Sequence, residues 1–366
     1  MLRPMRKAFF TLHLYLALAA AAFLIIMGLT GSMMAFEPEI DRMMHRDRSY
    51  VEPGTKALSL EEIGSLMQKT FAGERIEAYL PSVAPNISYQ IVLEKSGAVY
   101  VNQYNGKVLG VRGEGLELLD YVHQLHIRLA WQSESDTGKK IMSWAGVAML
   151  ILLLSGLYLW WPAKRVSITK GATGRRWWFD LHNAVGILSF VFLLLLTLTG
   201  IMIGFERITG PALYKLTGST PAHMPRTFPP PPGARPIPVD RVMEIARQAL
   251  PGAAPFAIIV PRPGDAYRVR LRFPEDRTPG GRSRVLVDQY TGQVLLAEGS
   301  RTAPAAERVV IANRAIHTGD IFGIPRKIIM SLASVMLVLQ ATSGIVMWSK
   351  RLRAKRRPLP LARAVS

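Results

Sequence analysis

Histidine is the residue type in this chain with the most chemistry to offer. The 366 residues contain seven, His13, His45, His123, His126, His182, His223 and His317, and no cysteine. The absence of cysteine excludes disulfides, thiolate nucleophiles, iron–sulfur clusters and the C-x-x-C-H attachment of a c-type haem. Histidine and methionine are left as ligands for a soft or borderline metal. Four histidines recur at matching positions. His13 stands 18 residues before the glycine of Leu29-Thr30-Gly31, and His182 stands 18 residues before the glycine of Leu198-Thr199-Gly200. His126, in Leu125-His126, corresponds to His317, in Ile316-His317, with a short gap in the match.

An imidazole inside a membrane helix is costly without a partner, so such residues are functional candidates. Two facing imidazoles can fill both axial positions of a haem iron, with the flat macrocycle held between helices of a bundle. A pseudo-twofold axis along the membrane normal would set His13 against His182 and His126 against His317. The expectation is therefore two bis-histidine b-type haems, with these four residues as axial ligands. Eighteen helical residues rise roughly 27 Å, so one haem would lie near each face of the membrane. Two histidines are too few for a closed tetrahedral zinc site. A proton relay would need acidic residues to continue it, and the four apolar runs described below contain none.

His123 lies one helical turn before His126, and Arg314 holds the same place before His317. Both are donors suited to a haem propionate, and His123 is also the alternative axial ligand. His45 and His223 have no counterpart and read as solvated loop residues. Met44, Met142 and Met202 are conceivable ligands, although methionine in apolar helices usually packs. Gly31, Gly156, Gly200 and Gly344 read equally well as sites of close helix contact or close macrocycle approach.

The elements that must position these residues are visible as four uncharged runs: Ala8 to Phe36, Ile141 to Ala163, Leu181 to Phe205 and Ile328 to Ser349. Each exceeds the roughly 20 residues a helix needs to cross a bilayer. A soluble globular enzyme is thereby excluded. The net charge of +19 is placed unevenly. Fifteen of the 45 Lys and Arg fall in residues 1–8, 163–177 and 350–366, which contain no Asp or Glu. Short basic flanks stay on the cytoplasmic side, so both termini and the middle loop are expected inside, and the basic excess reports topology rather than nucleic-acid binding. The first run is too long for a signal-peptide core and reads as a retained helix.

The two long connections repeat as well. Ser59 to Gly73 aligns with Pro238 to Gly252, each a short amphipathic helix. Val99-Tyr100-Val101-Asn102-Gln103-Tyr104-Asn105-Gly106-Lys107-Val108 aligns with Val285-Leu286-Val287-Asp288-Gln289-Tyr290-Thr291-Gly292-Gln293-Val294, each a strand, a glycine turn and a second strand. Residues 221–238 hold eight prolines and read as a stiff extended linker. Thirteen arginines between Arg226 and Arg308 could attract anionic chelates. Arg268, Arg270 and Arg272 also alternate as the outer face of an ordinary strand would.

The Tyr-x-Gly-x-Val turns, the Leu-Thr-Gly repeats and the helix ends Ser155-Gly156-Leu157-Tyr158-Leu159-Trp160 and Ser343-Gly344-Ile345-Val346-Met347-Trp348 resemble the PepSY domain and the PepSY-associated transmembrane helix family. The resemblance covers nearly the whole chain. It implies a membrane α-helical plus α+β fold: four transmembrane helices in two pseudo-symmetric pairs, with two periplasmic PepSY-like α+β modules. The segments expected are helix 1 at 8–36, module 1 at 37–125, helix 2 at 140–162 and a cytoplasmic loop at 163–179. Helix 3 follows at 180–205, then the proline-rich linker and module 2 at 206–310, helix 4 at 326–349 and a basic tail at 350–366. Some family members resemble inner-membrane ferric siderophore reductases with b-type haem, and others are iron-regulated membrane proteins of unassigned activity.

The function expected is a di-haem electron-transfer protein of the bacterial inner membrane. It would reduce a periplasmic ferric siderophore or other ferric chelate. The cytoplasmic segments are too short for a flavin or nicotinamide domain, so the electron donor would be a separate molecule. The alternative is a haem-free PepSY module that binds a peptide or restrains a peptidase. A transporter of small solutes or metals is the weaker third reading, because the spans lack midplane charges and broken helices.

Overall fold

The computed structural model describes residues 2–355, apart from 83, 113–116, 132–133, 165, 222–231 and 279. In chain order the helices are α1 (Leu2–Met34), α2 (Glu37–Met44), α3 (Arg46–Ser49), α4 (Leu60–Thr70), α5 (Leu118–Arg128) and α6 (Thr137–Trp160). They continue as α7 (Gly174–Gly204), α8 (Glu206–Thr217), α9 (Val239–Ala249), α10 (Ala305–Thr318) and α11 (Ile324–Lys355). Strands β1 (Ile76–Leu80), β2 (Tyr89–Leu93), β3 (Gly97–Val101) and β4 (Val108–Arg112) lie between α4 and α5. Strands β5 (Ala254–Ile259), β6 (Ala266–Arg272), β7 (Ser283–Asp288) and β8 (Val294–Glu298) lie between α9 and α10. The chain divides into two compact units.

One unit runs up to Phe36, from Asp120 to Glu206 and from Ile316 onward. It is built on α1, α6, α7 and α11, four helices long and apolar enough to cross a membrane. Helix α1 packs along α6 and α11, and α7 packs along the same two. The duplicated helices α1 and α7 therefore stand at opposite corners of the bundle, as do α6 and α11. The interior is filled by Ala20, Leu24, Met149, Leu152, Leu193, Ala333 and Leu337. Leu188, Val191 and Leu198 of α7 point outward and are exposed. This inside-out distribution suits helices whose outer surface meets lipid and whose contacts rest on small residues and close packing.

The other unit, Glu37–Leu119 and Arg207–Ala315, holds the sheet. The two copies of the α+β module join edge to edge in one antiparallel sheet of order β4-β3-β2-β1-β5-β6-β7-β8. The seam is short: Ala78 pairs with Ile259 and Tyr79 with Ile258. Helices α4 and α9 lie over one face. Ile63 and Met67 from α4, and Val242 and Ala246 from α9, close a core with Ile91, Val99, Val101, Val269, Leu271, Val285 and Val287. Each buried Ile, Val, Leu or Met side chain in this core contributes about 1.5–3 kcal/mol. Helix α4 starts on a capping box in which Ser59 and Glu62 bond reciprocally. Its first turn is also capped from the other copy, because Asp240 of α9 accepts from the Leu60 and Glu61 amides at 3.0 Å each.

The hairpin turns follow the sequence pattern. Gly106 and Gly292 both take φ +73, the left-handed region that a side chain resists. In each turn an Asx carboxyl or amide oxygen, from Asn102 or Asp288, accepts the amide of Tyr104 or Tyr290 at 2.9 Å. Arg268 and Arg270 are exposed on β6 while Tyr267, Val269 and Leu271 are buried. Much of the proline-rich stretch, with His223, lies outside the described residues, as do residues 356–366 of the basic tail.

Candidate functional site

The bundle brings the duplicated histidines together. Because α1 and α7 occupy opposite corners, His13 and His182 meet across the interior. Their ring centroids are 6.5 Å apart and their planes cross at 88°. A metal bonded to both at about 2.0–2.1 Å, with each centroid about 1.1 Å behind its nitrogen, would separate the centroids by about 6.3 Å. The spacing fits two axial ligands on one metal, and a ligand axis common to both rings permits perpendicular planes. Leu152, Leu153, Gly156, Trp160, Ile187 and Phe190 line the cleft beside the two rings. Asn183 and Gln340 add polar groups to a lining that is otherwise apolar and partly aromatic. Among the described residues no third ligating side chain joins these two histidines, which leaves a zinc site short of ligands.

The second pair lies on the short helices that lead into α6 and α11. His126 is on α5 and His317 is on α10. His317 and His123 are both close enough to His126 to act on its ring electrostatically. His126 is seated against α1, and His317 is seated against α7 in the same manner.

The seats share a construction. His13 Nδ1 is 2.9 Å from Ser155 Oγ of α6, and His182 Nδ1 is 2.8 Å from Ser343 Oγ of α11. His126 Nδ1 is 2.8 Å from Thr30 Oγ1 of α1, and His317 Nδ1 is 2.9 Å from Thr199 Oγ1 of α7. In every case the residue after the hydroxyl is a glycine facing the Cε1 of the same ring, and at three of the four a Cβ would press on it. The separations would be 3.3 Å for Gly156 and His13, 3.2 Å for Gly31 and His126, 3.1 Å for Gly200 and His317, and 3.9 Å for Gly344 and His182. The sequence suggested helix packing or macrocycle approach for these glycines. The structure shows that their nearest neighbours include the imidazoles. The four hydroxyl residues carried a legible signal, a Ser or Thr directly before Gly in each span, and sequence reasoning had assigned them no role toward the rings. Gln340 adds a further contact, donating from Nε2 to the His182 carbonyl at 2.6 Å.

Arg314, expected beside a propionate, belongs to the sheet-bearing unit. There it lies near Arg282, whose guanidinium is held below its usual range by burial and by the charges of Arg314 and Arg270. His45 is half-buried rather than solvated: its Nδ1 is 3.2 Å from Asp41. Asp41, His45 and Glu117 have ligand atoms within 4.8 Å of one another, but two arginines fill the space a cation would need. Arg48 donates to both Glu117 oxygens at 2.8 and 2.7 Å, and its Nη2 is 3.5 Å from Asp41. Arg112 stands 3.6 Å from Glu117 and 3.8 Å from Asp41. The Arg48 hydrogen bonds hold the Glu117 carboxyl below its ordinary range. This is a charge network that ties α2 and α3 to the sheet.

Comparison with curated proteins gives no match. Comparison with protein families matches residues 10–351 to the PepSY-associated TM region. That match takes in nearly all of the four long helices together with both halves of the sheet, and the chain therefore belongs to the PepSY-associated TM family of membrane proteins.

Proposed function

We propose that this protein is a di-haem b-type electron carrier of the bacterial inner membrane that reduces a periplasmic ferric siderophore or another ferric chelate. The observation that carries the reading is the pairing of His13 with His182 at a centroid separation of 6.5 Å between diagonal helices. His13 and His182 would hold one iron, and His126 and His317 the other. A haem with two imidazole ligands supplies one-electron transfer, and the protein contributes orientation, low dielectric and control of access. Leu152, Leu193 and Leu337 are buried in the bundle interior and keep water from it.

The basic flanks favour both termini and the α6–α7 loop in the cytoplasm. The sheet-bearing unit then lies in the periplasm, where exposed Arg268 and Arg270 favour an anionic chelate. Reduction of the chelated iron from Fe(III) to Fe(II) consumes one electron and weakens hard oxygen coordination, which releases the metal. The electron comes from a separate donor, in the cytoplasm or the membrane.

The test is an absorbance spectrum of the purified protein, oxidised and dithionite-reduced, with haem counted per chain. The expected result is a Soret band, sharp α and β bands on reduction, and two haems. A colourless preparation from haem-replete cells would overturn the proposal in favour of a haem-free PepSY binding or regulatory protein.

A further inference from the structure

We infer that Ser155, Ser343, Thr30 and Thr199 are positioning residues that fix the imidazole tautomer, and that the glycines after Ser155, Thr30 and Thr199 allow the ring to be seated there. The inference rests on the haem reading above. Each hydroxyl lies between the ring and a carbonyl oxygen of its own helix. Thr30 Oγ1 lies 2.6 Å from the Ile26 carbonyl, Ser155 Oγ 2.7 Å from Ile151 and Thr199 Oγ1 2.7 Å from Leu195. Ser343 Oγ lies 3.0 Å from the Gln340 carbonyl. A hydroxyl has one proton to give, and a carbonyl oxygen can only accept. With that proton on its own helix, each hydroxyl presents a lone pair to the ring and receives the Nδ1 proton. Nε2 is then the bare nitrogen of all four rings, which is the form a metal ligand needs.

The nature of this acceptor has consequences. A carboxylate at Nδ1 would push the ring toward imidazolate and favour ferric iron. A hydroxyl already committed to a carbonyl is a weaker, uncharged acceptor. It orients the ring while adding little electron density, so all four ligands are similar and neither iron is strongly biased toward the oxidised state. The glycines serve the same seat, because the Cε1 edge of a ring whose Nδ1 is bonded to the hydroxyl comes to rest over the next residue of that helix. The cytoplasmic pair uses two serines and the other pair two threonines, so each haem can be addressed separately.

The test uses the full chain in detergent. In Ser155→Ala the affinity for haem at the His13–His182 position should fall roughly 10- to 100-fold. The midpoint potential of that haem should rise, while the other stays unchanged. Ser155→Thr, which restores a hydroxyl, should restore both properties. Thr30→Val and Thr30→Ser should do the same for the His126–His317 position. Independently of any variant, 15N-histidine spectra of the reduced low-spin protein should show the proton of the ligating rings on Nδ1. If Ser155→Ala and Thr30→Val retain haem with unchanged affinity and potential, or if the Nδ1 proton is absent, the inference is overturned while the haem reading stands. A colourless wild-type protein would overturn both.

Discussion

The two histidine levels of the bundle use the same seat with the supporting roles exchanged. At one level the imidazoles come from the long helices α1 and α7, and the hydroxyl–glycine steps come from α6 and α11. At the other level α1 and α7 supply the hydroxyl–glycine steps, and the imidazoles come from the short helices α5 and α10. Helices α1 and α7 therefore carry an imidazole near one end and a seat near the other. The comparison teaches that the continuous spans set the spacing of both levels, while the second level also depends on how two short helices dock.

The sharpest way to break this comparison is to remove one ligand from each level. His13→Ala should eliminate one haem of two and leave the second spectrally intact, and His126→Ala should eliminate the other. If His126→Ala keeps both haems and His123→Ala loses one, the ligand on α5 is His123. A smaller effect should separate two glycines that look equivalent in sequence. At Gly200 a methyl group would lie 3.1 Å from the His317 ring, whereas at Gly344 it would lie 3.9 Å from His182, an ordinary contact. Gly200→Ala should therefore lower haem occupancy at its level roughly tenfold, and Gly344→Ala should leave occupancy unchanged, both measured as haem per chain.

The comparison extends to the sheet-bearing unit, where the first copy is tied down by Arg48 and Glu117, and the second by Tyr214 and Glu307 at 3.4 Å. Glu117→Gln should loosen α2 and α3 by about 1.5–3 kcal/mol, read as faster amide exchange there, because Arg48 loses its charged bidentate partner and keeps Asp41 at 3.5 Å. The sign of the pH dependence follows from the lowered Glu117 value. The stabilisation is complete above the ordinary carboxylate range and is lost as pH falls through the depressed value, so protection in α2 and α3, corrected for the intrinsic pH dependence of exchange, should fall in acid, and by less in the Glu117→Gln variant.

Much of this architecture was legible in the sequence. The four spans, the duplication and the glycine hairpins at Gly106 and Gly292 each follow from a local pattern with one physical meaning. The diagonal placement of α1 and α7, which sets His13 beside His182, followed from the repeat together with an assumed twofold axis. The hydroxyl steps were less legible, because Ser-Gly or Thr-Gly within an apolar helix is equally a packing motif, and only the partner across the bundle distinguishes the two. The β1–β5 seam was hidden for a related reason: edge pairing uses backbone groups that every strand has. The short helices α2, α3 and α8 carry too few apolar residues for a periodic signal. His45 looked solvated because its partners Asp41 and the Arg48 network become visible only when the chain folds back on the sheet.

Neither copy of the repeat contains both members of a histidine pair, since His13 meets His182 and His126 lies near His317. A half-length ancestor could have assembled both sites only by self-association, with each ring facing its own twin. Fusing the copies into one polypeptide makes that encounter intramolecular and independent of concentration. It also releases the twins from being identical: Gln340 now braces the backbone at His182, while the matching place opposite His13 is held by Leu152.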